Sequence, residues 1–170
     1  KELGHNPGKK TLAGLKAFEP GQLHAWAGAK ILARNGIKVI NGASYQSLFK
    51  MLVAGRFDYF PRSVTEALRE ASIYKDQGIR IDKHIMLHYP TAMYYFVNKK
   101  AVTLAKDIEY GLNKAIRDGT FDKLFLEYNL DSIKKSGLES RQVFHLQNPF
   151  LPKGTPLDRD ELWYAPTMKE

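Results

Sequence analysis

The segment that most constrains the fold runs from Met51 to Arg62 and reads MLVAGRFDYFPR. An apolar helix end leads to Gly55, and the short strand-like run of residues 57–60 follows it and stops at Pro61. A new helical pattern starts directly after the cationic Arg62. The order helix, glycine, strand, helix is typical of α/β folds, in which ligands bind outside the carboxyl ends of the strands. This segment therefore predicts both a fold class and a candidate binding site.

The rest of the chain alternates between strand-like and helix-like patterns. Strands are expected at residues 12–18, 37–40, 57–60, 79–87 and 93–97. Helices are expected at residues 24–35, from the N-cap Ser44 to 54, from Ser63 or Thr65 to about 74, and at 103–118, 121–128 and 131–138. Residues 147–166 contain four prolines and are expected to form an irregular tail. This alternation predicts an α/β fold with a mostly parallel sheet flanked by helices.

Composition restricts the possible classes of protein. The 170 residues suffice for one good core or two small lobes, and no stretch approaches the ~20 apolar residues of a membrane span. Cysteine is absent from the sequence, which excludes disulfides, thiolate metal sites and cysteine nucleophiles. The net charge of +8 either favours anionic partners or reflects a solvated basic surface, because Lys and Arg are dispersed. The sequence has no RNA-recognition, homeodomain or zinc-finger pattern, and no nucleic acid partner is expected.

Four ordered segments carry a resemblance to a known family. They are GLKAFEPGQ at residues 14–22, SYQSLFKMLVAGRFD at 44–58, YYFVNKK at 94–100 and LNKAIRDGTFDKLFLEY at 112–128. Together they resemble the bacterial extracellular solute-binding proteins of family 3, the periplasmic receptors of polar amino-acid ABC transporters. The resemblance implies a type II periplasmic-binding fold whose two lobes trap a small polar or anionic solute. It also implies a periplasmic location and hand-over of the solute to an ABC permease, or a report to a sensor protein.

The resemblance also implies a division of the chain. Residues 1–11 are then a lead or linker, residues 12–92 the second lobe, and residues 93–170 the returning part of the first lobe. The family's opening segment has no counterpart here and the chain begins with Lys, so we expect a processed or excised fragment. The helices after Thr103 then need another apolar partner. The alternative function is therefore an oligomerising or partner-docking module, or a periplasmic sensor domain without transport.

The first candidate ligand-binding site is the turn GQLHAW, which begins at Gly21 and ends at Trp26. In the family, the matching turn offers backbone N–H groups at a helix N-terminus to the substrate's carboxylate, because free N–H groups and the helix dipole both favour an anion. Gln22 and His24 would add side-chain donors, and Trp26 would stack on the ligand. In the alternative interpretation, Trp26 belongs to the core and His24 is a surface residue.

The second candidate site is the junction of Ser44 and Tyr45, which follows the expected strand at 37–40. Tyr45 would point into a ligand cleft. In the alternative interpretation, Ser44 is simply the N-cap of the following helix.

The third candidate site comprises Arg62, Ser63 and Glu66. In amino-acid-binding members of the family, an Asp near this point pairs with the substrate's α-ammonium group, and the matching position here is Ser63. Arg62 instead suits a carboxylate or phosphate, which it can bind bidentately, while Glu66 lies one helical turn further on. In the alternative interpretation, Arg62 forms a structural ion pair with Glu66 or Asp58.

Catalysis is not expected of this chain. The sequence does not assemble a nucleophile, a base and an oxyanion hole, so no catalytic residue and no cofactor is expected. His84 and His88 are four residues apart, a spacing that suits a metal ion on a helix. They fall in an expected strand, however, where residues four apart lie ~13 Å from each other, so no metal site is expected.

Overall fold

A computed structural model describes residues 11–164. Its helices are α1 (Leu12–Leu15), α2 (Ala27–Arg34), α3 (Tyr45–Val53), α4 (Val64–Ile73), α5 (Val102–Arg117) and α6 (Thr120–Ser136). Its strands are β1 (Gly21–Leu23), β2 (Ile40–Gly42), β3 (Ile85–His88) and β4 (Gln142–His145), and short 3-10 helices cover Lys75–Gln77, Leu138–Ser140 and Asp160–Leu162. The expected lead at 1–11, apart from Thr11, and the end of the expected tail at 165–166 lie outside the described residues.

β1 has parallel neighbours on both sides. It pairs with β2 over its whole length, and Pro20, just before β1, forms a single parallel bridge with Tyr59. The strand expected at residues 57–60 is thus reduced to one bridged residue, because Pro61 has no N–H group with which to extend the ladder. The spatial order is β2, β1, Tyr59, so α3 carries the chain from one side of β1 to the other.

β3 and β4 form a second parallel pair over all of their residues. β3 begins later than the expected strand at 79–87, because the carboxylate of Asp82 accepts the N–H groups of His84 and Ile85 at 2.8 and 2.9 Å and fixes a turn there. The described residues therefore form a mixed helix–strand structure with small parallel sheets, which is compatible with the expected α/β class. The strands form separate pairs rather than the one sheet that was expected.

One buried cluster joins the two strand pairs. It consists of Leu15, Leu32, Ile37, Phe144 and Leu146. Half-buried apolar side chains pack against it, from Leu12, Val39, Tyr59, Ile85, Leu87 and Tyr89. Burial of each large aliphatic side chain stabilises the fold by about 1.5–3 kcal/mol. The lobe boundary expected near residue 92 stays a prediction.

Several local signals for helix ends are confirmed. At the start of α3, the Ser44 hydroxyl accepts the N–H of Ser47 at 3.1 Å, and the Ser47 hydroxyl accepts the N–H of Ser44 at 3.0 Å. At the end of α2, Gly36 adopts a φ of +75°, a conformation that favours glycine. α4 begins directly after Ser63 and ends before Tyr74, as expected.

Two expected strands and one expected break between helices are wrong. Residues 12–18 contain the helical turn α1 instead of a strand, because the Thr11 hydroxyl caps it by accepting the N–H of Gly14 at 3.1 Å. Residues 93–97 form no strand and have no strand beside them within residues 11–164, and Phe96 is 92% exposed. The helices expected at 121–128 and 131–138 are the single helix α6, because no Gly or Pro interrupts them before Gly137.

The two longest helices, α5 and α6, form a hairpin. They meet at Gly119, which adopts a φ of +77°, and α6 also packs against α4. Large apolar side chains remain exposed on the pair, including Leu104, Tyr110, Leu124 and Tyr128. Within residues 11–164, no helix combines the length and apolar character that crossing a bilayer requires.

Candidate ligand-binding site at the strand ends

The candidate site lies where the parallel segments around β1 end. β1 ends at Leu23, and the segment bridged through Tyr59 ends at Pro61. These ends share one edge, because both neighbours of β1 run parallel to it. The chain passes to opposite sides of β1 before and after α3, and in open α/β sheets ligands bind outside the carboxyl ends at such a reversal of strand order. Arg62 follows Pro61 directly, and Trp26 lies three residues after Leu23, so both residues lie near these ends.

Arg62 is the centre of the site. Its Nε donates to Oε2 of Glu70 at 2.8 Å, and its Nη2 donates to Oε1 of Glu70 at 2.8 Å. The same Nη2 lies 3.0 Å from a carboxylate oxygen of Glu66. The Arg62 side chain is 16% exposed and that of Glu70 is 6% exposed, so the bidentate pair is largely shielded from water.

Aromatic rings surround the Arg62 guanidinium. Its central carbon lies 4.9 Å from the ring centroid of Trp26, 5.3 Å from that of Phe60 and 5.5 Å from that of Tyr45. The Trp26 and Phe60 rings are stacked, with centroids 6.2 Å apart and planes only 8° from parallel. These distances lie within the range of cation–π attraction, so the rings hold the guanidinium in place.

Tyr45 completes the hydrogen bonding of Glu70. Its hydroxyl donates to Oε1 of Glu70 at 2.8 Å. Burial, with the hydrogen bond to Glu70, raises the pKa of Tyr45 to about 12, so the phenol stays protonated and donates. Burial also opposes ionisation of Glu70, but the hydrogen bonds from Arg62 and Tyr45 outweigh it and lower the pKa of that carboxyl. Glu70 is therefore an ionised acceptor held from two sides.

Gln22 connects β1 to the Arg62 segment. It is 4% exposed, and its Nε2 donates to the Pro61 carbonyl at 2.9 Å. The Gln22 side chain also lies close to Gly28 in α2: a Cβ added to Gly28 would stand 3.4 Å from Oε1 of Gln22. The Gln22 side chain thus fixes the strand ends relative to each other and to α2.

The start of α2 differs from the sequence expectation. Gly21 lies within β1, and its N–H donates to the Tyr59 carbonyl at 2.9 Å. α2 begins at Ala27, and its N-cap residue Trp26 makes no side-chain capping bond. The first N–H groups of a helix have no partner within the helix, so the groups of Ala27 and Gly28 are the donors that α2 presents beside Trp26.

The remaining expected site residues lie around this centre or apart from it. Ser63 donates its hydroxyl to a carboxylate oxygen of Glu66 at 2.9 Å and so belongs to the site. Ser44 caps α3, which matches the alternative interpretation of that residue. His24 is exposed and lines an open depression of about 510 Å³ between α2 and β2, together with Lys30 and Lys38.

Two residues of the site, Phe60 and Glu70, are not among those that the sequence predicts. Glu70 lies four residues after Glu66, a spacing that places both carboxylates on one side of α4, and Arg62 lies just before the N-cap of that helix. That helical spacing could have indicated Glu70 as a partner of Arg62. Phe60 was placed in a strand, and its stacking on Trp26 depends on the pairing of β1 with the segment around Tyr59.

The charges of the site decide which ligand groups it favours. Arg62 contributes one positive charge, while Glu66 and Glu70 contribute two negative charges, so these three paired side chains together carry a formal net charge of −1. The donors Nε and Nη2 of Arg62 are already bonded to carboxylates. Glu66 is 50% exposed and is the carboxylate that solvent reaches.

Comparisons of the chain with protein-family models, with curated proteins and with solved structures find no match in any of the three.

Proposed function

We propose that this chain is the solute-binding part of a receptor like the family 3 extracellular solute-binding proteins. In this proposal, residues 12–92 form the second lobe of a type II periplasmic-binding fold and residues 93–170 return to the first lobe. The parallel neighbours of β1 and the four ordered motifs support it. The chain acts by binding rather than by catalysis.

The observation that carries the proposal is the cluster of Arg62, Glu70, Tyr45, Trp26 and Phe60 at the carboxyl ends of parallel segments. A charged pair surrounded by aromatic rings, placed where strand order reverses, is a typical setting for a small-ligand site in α/β proteins. The internal pairs hold these side chains in place before a ligand arrives, which lowers the entropy cost of binding.

The preferred ligand is a small polar, amino-acid-like solute that carries an ammonium group. The net charge of −1 and the half-exposed carboxylate of Glu66 favour a cationic group. The solute's carboxylate would lie at the start of α2, near the N–H groups of Ala27 and Gly28. A purely anionic solute has less support, because Arg62 already binds two carboxylates.

The biological setting follows from the same proposal. The solute would be trapped by hinge closure of two lobes in the periplasm. The receptor would then deliver the solute to an ABC permease or report it to a sensor protein.

Fluorescence titration tests the proposal, with Trp163→Phe as the background so that Trp26 is the reporter. We expect saturable changes with polar amino acids and none with analogues that lack the amino group. Glu66→Gln should weaken binding by about 10- to 100-fold, because a charge-assisted hydrogen bond contributes about 1.5–3 kcal/mol.

The matched control is Glu161→Gln. Glu161 is also 50% exposed and pairs with Arg159 at 2.9 Å, so this variant makes the same chemical change far along the chain. It should leave the titration unchanged. The proposal fails if no amino acid changes the Trp26 fluorescence at concentrations up to about 1 mM. A Kd of about 1 mM corresponds to a binding free energy of only about −4 kcal/mol.

A second candidate function is self-association, and the exposed aromatic run before α5 favours it. Met93 is 99% exposed, Tyr95 72% and Phe96 92%. Apolar patches of this kind commonly mark interaction surfaces. Native mass spectrometry from dilute to concentrated solution separates the two candidates. A monomer carrying a small-molecule adduct supports the receptor, whereas an empty oligomer lost in a Phe96→Asp variant supports self-association.

A further inference from the structure

β3 and β4 both end on a histidine. His88 and His145 are register partners in the parallel pair, so their side chains leave the sheet on the same face. Their Nδ1 atoms are 3.2 Å apart, and their ring centroids are 5.1 Å apart with the planes at 72°. His145 is exposed and His88 is half-buried, so solvent reaches the pair.

The spacing of the two nitrogens matches that of ligands on one metal ion. Imidazole nitrogens bind Zn²⁺ at about 2.0–2.1 Å, and two such ligands at a tetrahedral angle are about 3.3 Å apart. The observed 3.2 Å therefore matches the separation expected of two Nδ1 atoms bound to one metal ion. Neutral imidazole is a preferred ligand of Zn²⁺ and of other late divalent transition metals.

We infer that His88 and His145 form a binding site for a divalent transition-metal ion of the Zn²⁺ type. Within residues 11–164, no group of three or more His, Cys, Asp or Glu side chains could hold a metal ion together, so this site has two protein ligands. Water fills the other coordination positions, and the site is open to a further ligand. It is separate from the Arg62 cluster and does not depend on the proposed function.

The competing explanation is a purely structural contact. In that case one imidazole donates its Nδ1–H to the other Nδ1, and the hydrogen bond joins the ends of β3 and β4. The two explanations predict different results for metal binding. A metal site requires that substitution of His88 or His145 weakens Zn²⁺ binding, whereas a purely structural contact does not.

Isothermal titration calorimetry of the full chain with Zn²⁺ tests the inference. We expect one equivalent to bind, and we expect His145→Gln and His88→Gln each to weaken binding by at least about tenfold. His84→Gln is the matched control, because His84 lies just before β3 and is one of the two histidines with helical metal spacing in the sequence. It should leave the affinity unchanged.

Cu²⁺ provides a second measurement that needs no folded variant. Cu²⁺ binds nitrogen sites more tightly than Zn²⁺, and its electron paramagnetic resonance spectrum shows how many nitrogens are bound. Two equivalent nitrogens at one equivalent of Cu²⁺ support the inference. The inference is overturned by a single nitrogen, or by Zn²⁺ affinity that is the same in wild type and in the folded His145→Gln variant.

Discussion

Replacing Arg62 with Met tests whether the ion pair at the centre of the site stabilises the fold. Met keeps much of the apolar stem but removes the guanidinium, so Glu70 loses both of its bonds to Nε and Nη2. The Glu70 side chain is only 6% exposed, and it would remain charged with Tyr45 as its one hydrogen-bond donor among the described residues. An uncompensated buried charge is expected to destabilise the folded state strongly.

The loss of unfolding free energy expected for Arg62→Met can be placed on the known scale for ion pairs. Exposed pairs contribute about 0–1 kcal/mol, whereas removing one partner of a buried pair costs about 3–5 kcal/mol. The Arg62 side chain is 16% exposed and Tyr45 still bonds to Glu70, so we expect a loss of about 3 kcal/mol at pH 7. For a chain of this size that loss lowers Tm by about 6–12 °C.

Urea unfolding followed by tryptophan fluorescence measures the loss, and Arg159→Met is the matched control. Arg159 pairs with Glu161 at 2.9 Å but is 40% exposed, so its replacement should cost less than about 1 kcal/mol. Adding Glu70→Leu to Arg62→Met should restore part of the stability, because no unpaired charge is then left buried. If Arg62→Met costs no more than Arg159→Met, the reasoning about burial is wrong.

Three further predictions concern neighbouring groups. Tyr59→Phe should leave the free energy of unfolding unchanged or raise it by about 1 kcal/mol, because the buried Tyr59 hydroxyl has no hydrogen-bond partner among the described residues. Tyr45→Phe should lower it by about 1–2 kcal/mol, because it removes the hydrogen bond to Glu70. Urea unfolding compares the two variants. The folded pKa of Glu70 is lowered, so its stabilisation is complete above the unfolded pKa of about 4.3 and is lost as pH falls through the folded pKa. The stability gap between wild type and Glu70→Gln should therefore shrink below about pH 4, and a constant gap would contradict this. Gly21→Ala should cost about 1–3 kcal/mol in thermal unfolding, because a Cβ there would stand 2.3 Å from the Phe57 ring, and an unchanged Tm would show that the ring moves freely.

Sequence reasoning succeeded where structure depends on residues close along the chain. The Ser44 cap, the stop at Gly36 and the span of α5 follow from patterns within about one helical turn. The pairing of Arg62 with Glu66 was an alternative for the same reason, since the two residues are only four apart along the chain, at the start of α4.

Prediction from the sequence failed where a residue pattern is compatible with more than one structure. The apolar run at 12–18 fits a strand or a helical turn, and the hydroxyl of Thr11 favours the turn. Residues 93–97 have the composition of a strand, but no other strand lies beside them within residues 11–164. A strand needs a partner, so composition alone is not sufficient.

The alternation of helices with strands, most helix ends and the position of Arg62 after a strand-like run can be read from the amino-acid sequence. Which side chains meet depends on the folded chain. The bond between Tyr45 and Glu70 spans 25 residues, and the contact between His88 and His145 spans 57. The physical reason is that helix ends depend on hydrogen bonds within a few residues, whereas these contacts depend on how strands pair and how the apolar core is buried.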